Sequence, residues 1–171
     1  MKILAKVLLL AALVVWLPAI AMAGTGSTTQ TVTITFNEIS EIGVSGDPAT
    51  ITIVAPATAG DLPADQTEAT TTMAWTSNVA AGLTRKITGN IDGLFSGINL
   101  YATVAAPGST DGTSAGEAQF VAAATAYDFV TAIGNSNTTA QTITFRASVT
   151  SMVAPYTATS QIVTWTLTED A

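Results

Sequence analysis

The chain reads as an all-β protein: an immunoglobulin-like antiparallel β-sandwich of seven to eight strands that follows an N-terminal signal peptide. Three observations predict this. Thr alternates with large apolar residues in separate runs at 31–36, 50–53, 142–145 and 163–168. Gly, Pro, Asn and Asp clusters punctuate the intervening sequence at fairly regular intervals. The portion left after the leader is the size of one ordinary domain. Alternation with period two puts one residue type on each face of a pleated strand. Thr suits the wet face, because its branched Cβ fits the strand and its hydroxyl meets water.

The elements follow in order. Lys2 and Lys6 form a basic n-region, residues 7–16 an unbroken apolar core, and Ala21-Met22-Ala23 a small-x-small cleavage site. Together they predict a signal peptide over residues 1–23. The uncharged stretch 7–23 contains Pro18 and is shorter than the roughly 20 apolar residues of a spanning helix. Residues 24–171 then form a single sandwich domain of 148 residues. Residues 24–30 make a flexible leader. A first strand is expected over 31–39, with Val32, Ile34 and Phe36 inward, and a turn over 43–48. A second strand is expected at 50–54, followed by a long loop over 55–67. A third covers 69–77, with Thr71, Met73 and Trp75 on one face. A fourth covers 83–91, bracketed by Gly82 and by Asp92-Gly93, a strong turn signal. A fifth covers 98–105, with Ile98, Leu100, Ala102 and Val104 on one face.

Residues 107–116 are expected to be an exposed loop. Residues 117–133 admit two readings. Phe120, Ala124, Tyr127 and Val130 share a helical face. Equally, 118–122 and 129–133 are short strands around a corner at Tyr127-Asp128, and the β context favours strands or a single helical turn. Residues 134–139 are a turn cluster. A strand over 142–149 carries Ile143, Phe145, Ala147 and Val149 inward, a loop surrounds Pro155, and a last strand over 161–168 carries Val163, Trp165 and Leu167 inward. A jelly roll or small barrel is the competing architecture.

Composition excludes several functions. After residue 23 only Arg85, Lys86 and Arg146 are basic, three against twelve acidic residues, a net of −9. Nucleic acids and anionic membranes both demand basic clusters, so neither is an expected partner. The chain contains no His and no Cys. That removes the usual general base, thiol chemistry and the commonest zinc and copper ligands. A Ser-His-Asp triad cannot be built. Lys86 next to Arg85 has the character of a solvated strand residue and lacks Ser-x-x-Lys spacing. Asp61, Asp65 and Glu68 cluster in and after the long loop and are the candidate calcium ligands. They lack the Asp-x-Asp-x-Asp-Gly pattern, and a solvated acidic loop accounts for them. Trp75 and Trp165 alternate with polar neighbours and are expected in the core, facing each other across the two sheets. Gly43-Val44-Ser45-Gly46 lacks the Lys and helix of a phosphate loop. Asn137-Thr138-Thr139 matches a glycosylation acceptor. No catalytic, cofactor-binding or metal-binding residue is assigned, and no enzyme activity is expected.

Tyr156-Thr157-Ala158-Thr159, followed by Ile162-Val163-Thr164-Trp165-Thr166-Leu167-Thr168 and Glu169-Asp170-Ala171, resembles the end of bacterial WxL surface domains. Those domains close on a similar Tyr-Thr-Ala-Thr stretch and a Trp-x-Leu strand. The resemblance implies a secreted protein associated with the cell wall and its peptidoglycan. An earlier Trp-x-Leu is missing, since Trp75 is followed by Thr76-Ser77.

The function expected is an extracellular or cell-surface protein, structural or adhesive and fimbria-like, with a periplasmic location also open. Its terminal strands, 31–36 above all, suit assembly by strand addition to a second copy or to another surface protein. A module binding cell-wall polysaccharide or peptidoglycan is the alternative.

Overall fold

A computed structural model describes residues 27–155 and 159–170. Residues 1–23, expected from the sequence to be a signal peptide, and the Tyr156-Thr157-Ala158 stretch lie outside the described residues. The chain divides into two units, Met1–Thr35 and Phe36–Ala171. Within the first, residues 27–35 belong to no strand and are exposed.

The second unit is the all-β sandwich. Among the described residues it has nine strands: β1 Ser40–Val44, β2 Gln66–Ser77, β3 Arg85–Ile91, β4 Ile98–Val104, β5 Asp111–Ser114, β6 Ala118–Gln119, β7 Tyr127–Ile133, β8 Ser136–Val149 and β9 Val163–Glu169. They form two antiparallel sheets, ordered β1-β2-β8-β4-β6 and β5-β7-β3-β9. From β2 onward, every connection passes from one sheet to the other. Sequential strands therefore stack rather than pair. Asp92-Gly93 illustrates this: it does not close a hairpin but carries the chain from β3 across to β4. Asp92 first prolongs the β3–β9 ladder, its N–H donating to the Ile162 carbonyl (3.1 Å) and its carboxylate accepting the Ile162 N–H (2.8 Å).

The core lies between the sheets. Met73, Trp75, Ala102, Val104, Ile143 and Phe145 enter from one side, and Ile87, Ile91, Phe129, Val130 and Ile133 from the other. Most are the inward residues of period-two strands; in β7 the adjacent Phe129 and Val130 are both buried, where the ladder with β3 shifts register. β3 alternates strictly, with Arg85, Ile87, Gly89 and Ile91 buried. Gly89 is required by close approach: a Cβ there would stand 2.7 Å from the Trp165 ring and 2.8 Å from that of Phe129. The two rings meet edge-on over this gap, centroids 4.9 Å apart.

Several expectations are corrected. The first expected strand, 31–39, is not a strand. Pairing begins only at Ser40, after Asn78 has fastened the entering chain. The Asn78 backbone N–H donates to the Ile39 carbonyl (3.1 Å), its side-chain amide donates to the Asn37 carbonyl (2.9 Å), and its side-chain oxygen accepts the Ile39 N–H. The second expected strand, 50–54, joins no ladder, although Ile51 packs against the core. The loop expected over 107–116 contains β5, which pairs with β7 through Asp111↔Ile133 and Thr113↔Thr131. Its Gly112, at φ 108°, admits the Val130 and Ile133 side chains at distances no Cβ would allow. The turn expected at 134–139 is largely the start of β8. There Ser136 and Thr138 point inward and bond each other at 2.9 Å, which satisfies two buried hydroxyls. Residues 117–133 resolve into β6 and β7, with Tyr127 opening a strand rather than marking a corner.

Candidate assembly surfaces

Residues 31–36 are exposed throughout. Val32, Ile34 and Phe36 are 75%, 85% and 78% exposed. Large apolar side chains at strict alternate positions normally mark the buried face of a strand. Here all three meet solvent.

The sandwich has four edge strands, β1, β6, β5 and β9. β6 spans two residues and β5 four, one of them a glycine. β1 carries Glu41 and Gly43 and has a single half-buried apolar residue, Ile42. β9 differs from all three. It pairs along its whole length with β3, from Arg85↔Glu169 to Ile91↔Val163, without a register shift. Residues 163–168 contain no charge, proline or glycine. Its inward row, Val163, Trp165 and Leu167, packs against the core yet is only half-buried. Natural edge strands are usually kept short, charged, bulged or covered. β9 is neither short, charged nor bulged along residues 163–168, although β1 of the other sheet runs close to it, and among the described residues β3 is its one ladder partner.

The three basic side chains of the sandwich are each paired with carboxylates. Arg146 on β8 donates to Asp65 and, through Nε at 2.8 Å, to Glu117, while its guanidinium lies 3.8 Å above the Tyr101 ring. Hydrogen bonds from Ser148 and then Arg146 hold the Asp65 carboxyl below the usual range, and the Arg146 contact does the same for Glu117. Those two carboxylates in turn raise the Arg146 guanidinium further above its ordinary value. Arg85 is buried, paired with Glu38, and donates to the Ser40 hydroxyl at 3.0 Å. Lys86 stands 3.3 Å from Asp128, on the outer face of its sheet.

The candidate calcium ligands part company. Asp61 is exposed in the loop, and Asp65 is committed to Arg146. Glu68 is turned inward, one oxygen accepting the Thr70 N–H at 2.6 Å and the other buried without a partner. Among the described residues no three acidic groups come together to hold a metal. Trp75 is buried and donates its indole N–H to the Asp111 carbonyl at 3.1 Å. The two tryptophans do lie in opposite sheets. The ring that Trp165 meets across the core, however, is Phe145, at 6.5 Å between centroids.

At one end of the sandwich a cleft of about 710 Å3 is bordered by Phe36, Glu38, Asn78, Asp111, Asn135 and Asn137. Sequence reasoning passed over this grouping, because its members come from four distant segments. Asn137, the glycosylation candidate, is exposed on β8 opposite Thr76. Gly43 and Val44 belong to β1, so the Gly43–Gly46 stretch forms no phosphate cradle. Compared with known protein families, curated proteins and solved structures, the chain matches none.

Proposed function

We propose that this chain is an exported, non-enzymatic structural or adhesive protein of the cell surface, which assembles through its sheet edges and its N-terminal run. One observation carries the reading: Val32, Ile34 and Phe36 alternate with Thr, yet stand exposed outside both sheets. A solvated segment of this composition is costly on its own, since each such side chain is worth about 1.5–3 kcal/mol when fully buried. Pairing with an open edge offsets that cost and satisfies the backbone as well. The basic-then-apolar N-terminus and the hydroxyl-rich strands support export. The lack of His and Cys supports a role other than catalysis.

Sedimentation and electron microscopy of the protein, purified after expression of the whole chain, test this. Oligomers or fibres are expected. A variant lacking residues 24–36 is expected to remain folded and monomeric. A wild-type protein that is monomeric at every concentration and is not retained at the cell surface overturns the reading.

The cleft favours a second reading, a module for cell-wall glycan. An exposed ring beside several carboxamides suits a hydroxyl-rich ligand. Pull-down on purified cell wall, repeated with Asn137→Ala and Phe36→Ala, discriminates. Binding that depends on both residues in a protein that never self-associates supports the glycan module over assembly.

A further inference from the structure

We infer that the acceptor for the N-terminal run is the outer edge of β9 in a second copy of this chain; the inference rests on the assembly reading above and names its two surfaces.

The argument begins with the edges. Of the four, β9 is the one that combines length, regular pairing and freedom from charge along residues 163–168. Residues 31–36 have the same chemistry: Thr at alternate positions, large apolar residues between, and no charge from Thr31 to Asn37. Extended strands rise about 3.3 Å per residue, so six residues cover about 20 Å, close to the reach of the seven residues of β9. The apolar rows also correspond. If the donor's Thr residues continue the wet face of Thr164 and Thr166, then Val32, Ile34 and Phe36 fall on the side of Val163, Trp165 and Leu167. That row is half-buried and packs against the core, so an added strand completes its cover.

Charge selects the occupant. The chain carries twelve acidic residues against five basic. Two copies therefore repel over most approaches, and like charges brought together cost binding. Residues 31–37 and 163–168 are uncharged lengths, so they can meet without placing carboxylate against carboxylate. β1 is a poorer acceptor: Glu41 sits on it and Glu38 precedes it, paired to Arg85. Donation from each copy to the next is head-to-tail and produces rings or filaments, whereas reciprocal exchange between two copies closes a two-fold dimer.

The absence of Cys makes the test direct, since any disulfide must come from introduced thiols. Whole-chain Thr33→Cys protein is mixed under oxidising conditions with Thr164→Cys, Thr166→Cys or Thr168→Cys protein, and separately with Glu41→Cys protein. Cross-linked pairs are expected between position 33 and at least one β9 position, and not with position 41. Ile34→Asp, at an exposed site, is expected to raise the concentration for half-assembly at least about tenfold, with an unchanged circular dichroism spectrum and unfolding midpoint. Assembly that persists with cross-links to position 41 or between two copies of position 33 overturns the β9 assignment, while leaving the assembly reading intact. Unchanged assembly of Ile34→Asp overturns the donor. Absence of any assembly by the unmodified protein overturns the inference together with the reading beneath it.

Discussion

Residues 31–36 and 163–168 are written in nearly the same code, Thr alternating with branched or aromatic apolar residues, yet they end in opposite circumstances. The second run lies within β9, in register with β3 throughout, with Trp165 edge-on to Phe129. The first joins no ladder and presents its apolar row to water. Alternation dictates that a segment be extended and two-faced. It does not supply a partner. What separates the two is the neighbourhood: β9 lies beside β3, whose Gly89 leaves room for the Trp165 ring, whereas the fold takes hold of the N-terminal chain only from Asn37, where Asn78 bonds it.

The largest consequence is a difference in stability cost. Trp75→Ala empties a fully enclosed site and is expected to cost about 3–5 kcal/mol. Phe36→Ala, although it also deletes a ring, is expected to stay within about 0.5 kcal/mol for the isolated protein, as surface changes do. Urea unfolding of the two variants measures the contrast. A Phe36→Ala loss as large as that of Trp75→Ala means the N-terminal run is already paired within its own molecule.

A second expectation concerns the room under Trp165. Gly89→Val drives a side chain into the Trp165 and Phe129 rings and is expected to destabilise by about 1–3 kcal/mol, read as a lower unfolding midpoint. A neutral result means that β9 is held too loosely for this contact to position it.

Third, the ladders contain residues in left-handed conformations. Ala132 and Ala140 lie at φ 56° and 54°, each beside a register shift in β7 or β8. Ala140→Gly relieves a strain of about 1–2 kcal/mol and gives part of it back to the unfolded chain, for an expected net gain below about 1 kcal/mol. Ala147→Gly, in the regular and buried part of the same strand, is expected to lose about 0.5–1 kcal/mol. Thermal unfolding of the pair reports the opposite signs.

The smallest effect is electrostatic. Asp65 and Glu117 have carboxyl groups held below their ordinary values by Ser148 and Arg146. A depressed folded-state value stabilises above the unfolded value, and the benefit disappears as acid protonates the folded group. Both sites are solvated, so the contribution is small and is screened by salt. A shallow fall in unfolding midpoint below about pH 5 is expected, and Arg146→Gln is expected to flatten it. An identical slope in that variant assigns the acid sensitivity to other carboxylates.

Much of the fold was legible because burial follows period two. Met73 and Trp75, Ile143 and Phe145, and the half-buried row of β9 all face the side that their alternation indicates. The errors have definite causes. Asp111 to Ser114 is turn chemistry locally and becomes β5 because β7 runs beside it. Ser136 to Thr139 is turn-like as well, and becomes strand because its inward hydroxyls bond each other. For the candidate surfaces, the alternation of the N-terminal run was legible from residues alone, but its inward placement as a first strand was not what the fold adopted. The open edge of β9 was not legible in this way, because an edge is defined by the neighbour that is missing.

Composition and alternation alone determined that the chain is extended, two-faced and β-rich, and that it lacks imidazole and thiol, because these properties reside in single residues and their immediate spacing. Pairing was decided by the tertiary structure. Gln66 meets Ala147 and Ile91 meets Val163 across dozens of intervening residues, and successive strands were sent to opposite sheets. The physical reason is that a backbone hydrogen bond carries no residue identity. Which strand takes which neighbour, and which edge is left open, follows from how the side chains of the whole sandwich pack.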